Sequence, residues 1–303
     1  MPAPRQTLSV LIRVRGAMPS LRPAERRVAE AVLADPAKIS ESSITLVARQ
    51  CQTSETTVLR FCRAIGLAGY PELRIALARA AQGEEREQGG TGPLTGTIDK
   101  SDTLADVVAK VTYADARALE ETGASLSIDE LELAVTAVAT ARRVDVYGTG
   151  ASSLVGQDLH LKLHRIGLVS FVWSEAHQAL TSARLLTAAD VAIGISHTGT
   201  TTETIDALRV ARQQGATTVA VTNFARSPIT DQADIVLTTA VRETTFRSGA
   251  MSSRISQLAV VDCLFTGVAQ RSYEQSVQAL ASTFAVVQAR RRGRPARAAG
   301  PVG

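Results

Sequence analysis

Two short segments concentrate hydroxyl and glycine residues in a way that suits binding of an anion. Residues 148–153 read GTGASS, and residues 196–203 read SHTGTTTE. In the first, Gly148 and Gly150 permit tight turning and close backbone approach, while Ser152 and Ser153 offer hydroxyls where a helix should begin. In the second, Ser196, Thr198, Thr200, Thr201 and Thr202 crowd around Gly199, again just before a helical stretch. Backbone N–H groups at a helix N-terminus, joined by hydroxyl donors, make a site for a phosphate dianion. Either loop alone reads equally well as a set of helix caps. Two of them in one strand–helix array favour phosphate. Neither is a nucleotide signature: Ser153 stands where GxGxxG needs its last glycine, and GxxxxGK[ST] is absent.

A different chemistry is written into residues 43–66, SITLVARQCQTSETTVLRFCRAIG. Ser43 caps a short helix carrying Ile44, Val47 and Ala48. Cys51, Gln52 and Thr53 make a tight turn, and Ser54 caps a second helix. In that helix Val58, Phe61, Cys62 and Ile65 recur at i, i+3, i+4 and i+7 as a buried stripe, and Gly66 stops it. Glu55, Thr56, Thr57, Arg60 and Arg63 are left largely outside. The length and phasing are those of a helix-turn-helix, whose second helix presents its N-terminal residues to base edges in the major groove. Ser54, Thr56, Thr57, Arg60 and Arg63 are the expected DNA-contacting residues. A small helical bundle with merely solvated arginines is the bland alternative. Cys62 lies on the buried stripe and is read as a packing residue.

Candidate acid–base groups are few. His160, His164, His177, His197 and Glu243 could serve an aldose–ketose isomerisation, which needs a general base. His160 and His164 stand one helical turn apart, and the simpler reading gives them a core hydrogen bond or a dimer contact. His197 could donate to a phosphate oxygen or a sugar hydroxyl. No closed set of metal ligands is present, so neither a metal nor a catalytic residue is assigned and no cofactor is expected.

The elements that must position these residues follow from periodicity. Five β-rich runs, at 144–148, 168–173, 191–196, 217–222 and 234–239, alternate with helical patterns at 153–165, 176–187, 202–214 and 226–232. Such alternation implies right-handed crossovers and a parallel sheet covered on both faces. Leu104, Val107, Val108 and Val111 mark an amphipathic helix over 103–122, and 128–141 reads as another. Residues 252–271 form a closing helix with Ile255, Leu258, Ala259 and Asp262 at one-turn intervals. The stretch 82–100 nearly lacks large apolar residues and is read as a linker.

Charge divides the same way. Residues 1–80 hold 12 Lys/Arg against 6 Asp/Glu, residues 81–289 hold 16 against 23, and residues 290–303 hold 5 Arg and no acid. A basic start suits DNA phosphates. The acidic centre must hold an anion through local N–H and hydroxyl groups, because its overall field repels one. The basic tail adds non-specific DNA affinity or is a solvated end. With 45% hydrophobic residues the chain is no disordered polymer, and no apolar run reaches the length of a membrane span. Three cysteines, without CxxC spacing, suit a reducing cytoplasm.

Two resemblances bring these pieces together. LRPAERRVAEAVLADP (21–36) and SETTVLRFCRAIGLAGYPELRIALARA (54–80) resemble the N-terminal domain of the MurR/RpiR transcription regulators, matching at Ser54, Thr57, Val58, Arg60, Phe61, Cys62, Gly66, Gly69, Tyr70 and Leu73. Arg74 departs to the extent that lysine is more usual there. Residues 125–270 resemble the sugar isomerase (SIS) domain, a phosphosugar-binding module, with GTGAS and Ser196–Thr201 matching its two loops. The resemblance implies that Ser152, Ser196, Thr198 and Thr201 hold the phosphate. It also implies that Glu243 reaches the sugar end and that Arg247, Ser248 and Arg254 support the site or a dimer.

The expected fold is an N-terminal all-α helix-turn-helix domain (1–81), a linker (82–100), and a C-terminal α/β three-layer sandwich with a five-stranded parallel sheet, the SIS fold (101–289). A disordered basic tail (290–303) follows. The expected function is a cytoplasmic, DNA-binding regulator of carbohydrate metabolism, working as a homodimer or homotetramer. A phosphorylated sugar effector, bound by Gly150, Ser152, Ser153, Ser196, His197, Thr198, Gly199, Thr201 and Glu243, would change its operator affinity. The alternatives are a sugar-phosphate isomerase with a helical extension and a scaffold that only dimerises.

Overall fold

The computed structural model describes residues 10–87, 98–241 and 252–291. Among the described residues, six α-helices build the N-terminal domain: α1 (Val10–Ala17), α2 (Pro23–Ala34), α3 (Pro36–Glu41), α4 (Ile44–Gln50), α5 (Glu55–Ala64) and α6 (Tyr70–Glu87). Their shared core includes Val14, Val28, Val32, Val47, Phe61, Cys62, Leu73 and Leu77. All four residues of the expected stripe on α5 are buried within it. Gly66 adopts φ +75°, and Leu67 N–H reaches back to the Cys62 carbonyl at 2.9 Å, which ends α5 in a left-handed cap. Helix α6 runs to Glu87, six residues into the stretch read as linker, because Gln82–Glu87 has no proline and only one glycine to stop it.

The second domain is a parallel sheet of five strands: β1 (Arg143–Gly148), β2 (Ser170–Trp173), β3 (Asp190–Ile195), β4 (Thr217–Thr222) and β5 (Ile235–Thr238). Their spatial order is β2-β1-β3-β4-β5. One face packs beneath α8 (Ile128–Thr140), α9 (Ala151–Arg165) and α12 (Ser252–Arg271), around Val146, Ile193, Val219 and Leu237. The other face packs against α10 (Ala176–Arg184) and α11 (Thr202–Gln213). Ala192 and Ala220 contribute to this second face, and a Cβ at Gly194 would meet the Leu208 side chain at 2.5 Å. These small residues let α11 lie close to the sheet.

Helices α7 (Leu104–Ser125) and α13 (Tyr273–Arg291) complete the chain. The apolar stripe expected on α7 is open at its start, with Leu104 85% and Val108 66% exposed. The buried face of α12 also differs from the expected one. Val260, Val261, Leu264 and Val268 are inside, while Asp262 is exposed and pairs with Lys162 of α9. A charged residue in the proposed stripe had turned the expected face about one position. Among the described residues no helix is long and apolar enough to cross a membrane.

Candidate functional site

The sheet order turns about β1. The chain leaves β1 to lay β2 on one side and later β3 on the other, and the crevice at such a switch point is where open parallel sheets bind ligands. Gly148 at the end of β1 is in register with Ile195 at the end of β3. The GTGASS and SHTGTTTE loops therefore leave neighbouring strands side by side. The sequence alone paired neither the strands nor the loops.

Each loop is shaped by one glycine with a positive φ. Gly150 (φ +58°) is the N-cap of α9. Gly199 (φ +66°) lies so close to the loop between β4 and β5 that a Cβ there would sit 2.1 Å from Ser227 Oγ. Inside the second loop, buried Ser196 shares a 2.9 Å hydrogen bond with Thr201 Oγ1, and its Oγ accepts from the Gly199 N–H at 3.1 Å. The Thr200 hydroxyl bonds to Thr198 Oγ1 at 2.8 Å, and Thr198 itself is exposed. In the first loop Ser153 Oγ donates to the Gly150 carbonyl at 2.7 Å, and Ser152, one residue earlier on α9, is half-buried.

The helices beyond the two loops start without a side-chain cap, α9 at Gly150 and α11 at Thr201. Helix α10, which follows β2, is instead closed by Glu175, whose carboxylate accepts from the His177 and Gln178 N–H groups at 3.0 and 2.9 Å. Those bonds hold the Glu175 carboxyl below its ordinary pKa. Two uncapped helix starts beside a set of hydroxyls can take an anion through N–H donors and the helix dipoles. Thr204, on the first turn of α11, has a buried Oγ1 with no protein hydrogen-bond partner, beside a small pocket at the ends of β1 and β2 lined by Gly148, Thr149 and Glu175. Neither Thr204 nor Glu175 was singled out in the sequence, since nothing in the spacing places them.

The His197 ring stands edge-on to Phe224, with centroids 5.8 Å apart, and its carbonyl accepts from Asn223 N–H at 3.0 Å. His160 is a packing residue: its Nδ1 bonds with Ser170 of β2 at 2.9 Å, and its ring tilts against His164. Glu243, Arg247 and Ser248 lie outside the described residues, and Arg254 is half-buried on α12.

On the helical domain the expected turn joins α4 and α5. Ser54 caps α5, accepting from Thr57 N–H at 3.2 Å. Thr56, Arg60 and Arg63 are exposed along α5. Thr57 departs from expectation. It is buried (4% exposed), with its hydroxyl 3.0 Å from Ser54 Oγ and accepting from Arg60 Nη2 at 3.2 Å. As the third helical residue it turns inward toward its own cap, so it positions Arg60 and does not present a surface. Arg60 also pairs with Glu25 of α2 at 3.7 Å. Arg27 holds the turn by donating to the Cys51 and Gln52 carbonyls, both at 2.9 Å. Arg74 donates to the Ser40 carbonyl at 2.7 Å and Tyr70 to the Ser42 carbonyl at 2.9 Å, which fixes α3 against α6. Burial pushes the Cys62 thiol up to about 11, in keeping with a packing role.

The chain matches two family models, a helix-turn-helix domain of the rpiR family over residues 8–84 and a SIS domain over residues 137–267. It is 38% identical over 282 residues to an uncharacterized HTH-type transcriptional regulator of Caldanaerobacter subterraneus subsp. tengcongensis, covering 93% of this chain and 98% of that one. It is 34% identical over 270 residues to the Bifunctional protein glk of Burkholderia mallei, covering 87% of this chain and 40% of that protein. Among solved structures, Vibrio vulnificus NanR complexed with ManNAc-6P superposes with a TM-score of 0.59 at 29% identity, over 92% of this chain and 98% of that one. The sugar isomerase domain of an RpiR transcription factor from Sphaerobacter thermophilus superposes with a TM-score of 0.54 at 28% identity, over 58% of this chain and 97% of that one. A cap-bound recognition helix, a doubly covered parallel sheet and these matches along nearly the whole chain lead to one assignment: the protein is an HTH-type transcriptional regulator of the RpiR family with a SIS domain.

Proposed function

We propose that this regulator binds a sugar phosphate at the β1/β3 switch point and changes its operator affinity in response. The observation that carries the reading is the pair of hydroxyl loops on neighbouring strands, each opening into a helix with no side-chain cap. Gly150, Ser152, Ser153, Ser196, Thr198, Gly199 and Thr201 hold the phosphate, with His197 and Glu243 toward the sugar. The ligand in the NanR complex, ManNAc-6P, supports a hexose 6-phosphate as the class. Ser54, Thr56, Arg60 and Arg63 face DNA, while Thr57 braces Ser54 and Arg60. The protein works in the cytoplasm as a homodimer built on its sheet domain, with 1–81 as the DNA-binding unit and 101–289 as the sensing unit.

The test is a gel-retardation titration of a DNA fragment enriched by the protein itself, with and without a panel of hexose 6-phosphates that includes ManNAc-6P. Thermal shift on the same preparation reports ligand binding. The double substitution Ser196→Ala with Thr198→Ala should abolish the ligand response while DNA binding survives. A double mutant that responds like the parent, or isomerase turnover with no DNA binding, overturns the reading.

A further inference from the structure

The loop between β4 and β5 touches both candidate sites. Its near side is laced to the phosphate loop. Asn223 N–H donates to the His197 carbonyl at 3.0 Å, and Ile229 N–H donates to the Gly199 carbonyl at 3.0 Å. Phe224 lies against the His197 ring. Ser227 fills the space that a side chain at Gly199 would need, and its Oγ is held by the Phe224 carbonyl at 2.8 Å. Its far side reaches the other domain, where Arg226 Nη1 donates to the Ala64 carbonyl, in the last residue of the recognition helix α5.

That contact has a physical basis. The last carbonyls of a helix lack intrahelical donors and carry the negative end of the dipole, so a guanidinium there is favourable. The surroundings are loosely filled. A cleft of about 180 Å³ separates the domains beside this bond, lined by Arg13 and Ala17 of α1 on one side and by Asn223 and Thr239 on the other. Asn223 also binds the segment leading toward Glu243: its Oδ1 accepts from Val241 N–H at 2.8 Å and from the Thr239 hydroxyl at 3.1 Å. One short loop therefore senses the phosphate loop, the strand end before Glu243 and the recognition helix.

We infer that Arg226 is a positioning residue that couples the phosphate site to DNA: through its bond to Ala64 the β4–β5 loop sets the orientation of α5, and an anion settling into the Ser196–Thr201 loop shifts that setting. This rests on the sugar-phosphate reading above for the nature of the effector, while the contact itself does not. Arg226 belongs to neither binding surface, so its removal should spare both binding events and cut the link between them.

The experiment compares full-length wild type, Arg226→Ala and Arg226→Lys. DNA affinity is measured by fluorescence anisotropy on a fragment enriched by the wild type, with and without saturating ManNAc-6P or, in parallel, inorganic phosphate. Wild type should change its affinity by roughly 5-fold or more on ligand addition, within the usual range of allosteric coupling. Arg226→Ala should still bind DNA and still show the ligand-induced thermal shift, but its affinity change should fall below about 2-fold. Arg226→Lys keeps a donor and a charge, and should recover most of the response. A second arm needs no effector: amide hydrogen exchange at residues 61–67 should speed up in Arg226→Ala relative to wild type. If wild type binds DNA but no sugar phosphate alters it, the sensing reading fails, and the exchange arm alone judges the latch. Unchanged exchange, or a wild-type-sized ligand response in Arg226→Ala, overturns the inference.

Discussion

Arg60 shows how one side chain can be held for a task by its neighbours. Thr57 accepts from its guanidinium and Glu25 of α2 sits opposite, so the side chain is held while half of it remains in solvent. A side chain already ordered loses less entropy on meeting a phosphate or a base. Arg60→Ala should weaken DNA binding about 5-fold or more, by ~1–3 kcal/mol, and leave sugar-phosphate binding unchanged. Anisotropy on DNA and thermal shift with ligand check the two halves separately, and equal loss of both would argue against distinct sites. Gly199 is the matching residue in the sheet domain. Its φ of +66° and the 2.1 Å approach to Ser227 leave no room for a methyl group. Gly199→Ala should abolish the hexose 6-phosphate thermal shift, and cost roughly 1–3 kcal/mol from backbone strain alone. DNA binding should persist in that variant.

At the scale of elements, β1 carries a feature that its apolar run conceals. Asp145 is fully buried in the middle of the strand and accepts from four side chains. Arg143 donates twice, at 2.7 and 2.9 Å, Trp173 at 2.9 Å, Ser182 at 2.5 Å and Tyr147 at 3.2 Å. This carboxylate ties β1, β2 and α10 together beneath the switch point; burial, and after it the Asp145 charge, pushes the Tyr147 hydroxyl well above its ordinary pKa. Burying a charge is tolerable only when it is paired and hydrogen-bonded. Asp145→Asn removes the charge and sets an amide against donors. The expected loss is about 3 kcal/mol. It should appear as a melting point roughly 6–12 °C lower. The odd Asp in VDVYG was visible in the sequence, with Arg143 and Tyr147 two residues to either side, but its other two partners, Trp173 and Ser182, lie 28 and 37 residues away and could not be matched to it.

At the scale of the molecule, the described residues leave apolar surface exposed in specific places. Leu104 and Val108 at the start of α7 are exposed, as are Leu154 and Leu161 on α9 and Phe284, Val286 and Val287 on α13. Covering these faces is the role we propose for a second copy of the chain, in line with the homodimer proposed above. Light scattering after size exclusion should give a dimer or larger at micromolar concentration. Leu104→Glu with Val108→Glu should shift the mass toward a monomer whose sheet domain still melts cooperatively. A parent chain that runs as a monomer would leave these faces needing another partner.

The sequence by itself determined the five strands and most of the helices, although the helical pattern at 226–232 is realised only as a short turn at Thr230–Gln232. Period-2 and period-3.6 patterns are local, so all five strands and the turn between α4 and α5 could be read from neighbouring residues, and the hydroxyl loops stand out by composition. What a residue faces depends on parts of the chain far away. The buried face of α12 lies about one position from the stripe that its spacing predicts. Thr57 was counted as surface because its inward turn toward Ser54 is a matter of cap geometry. The strand order, which sets GTGASS beside SHTGTTTE, arises from long-range pairing that no local pattern encodes. Only the tertiary structure brought Arg226 to the end of the recognition helix, across 162 residues of chain. The reason is physical: burial and propensity act over a few residues, whereas a site or a coupling is a meeting of surfaces that exists only once the cores beneath them have packed.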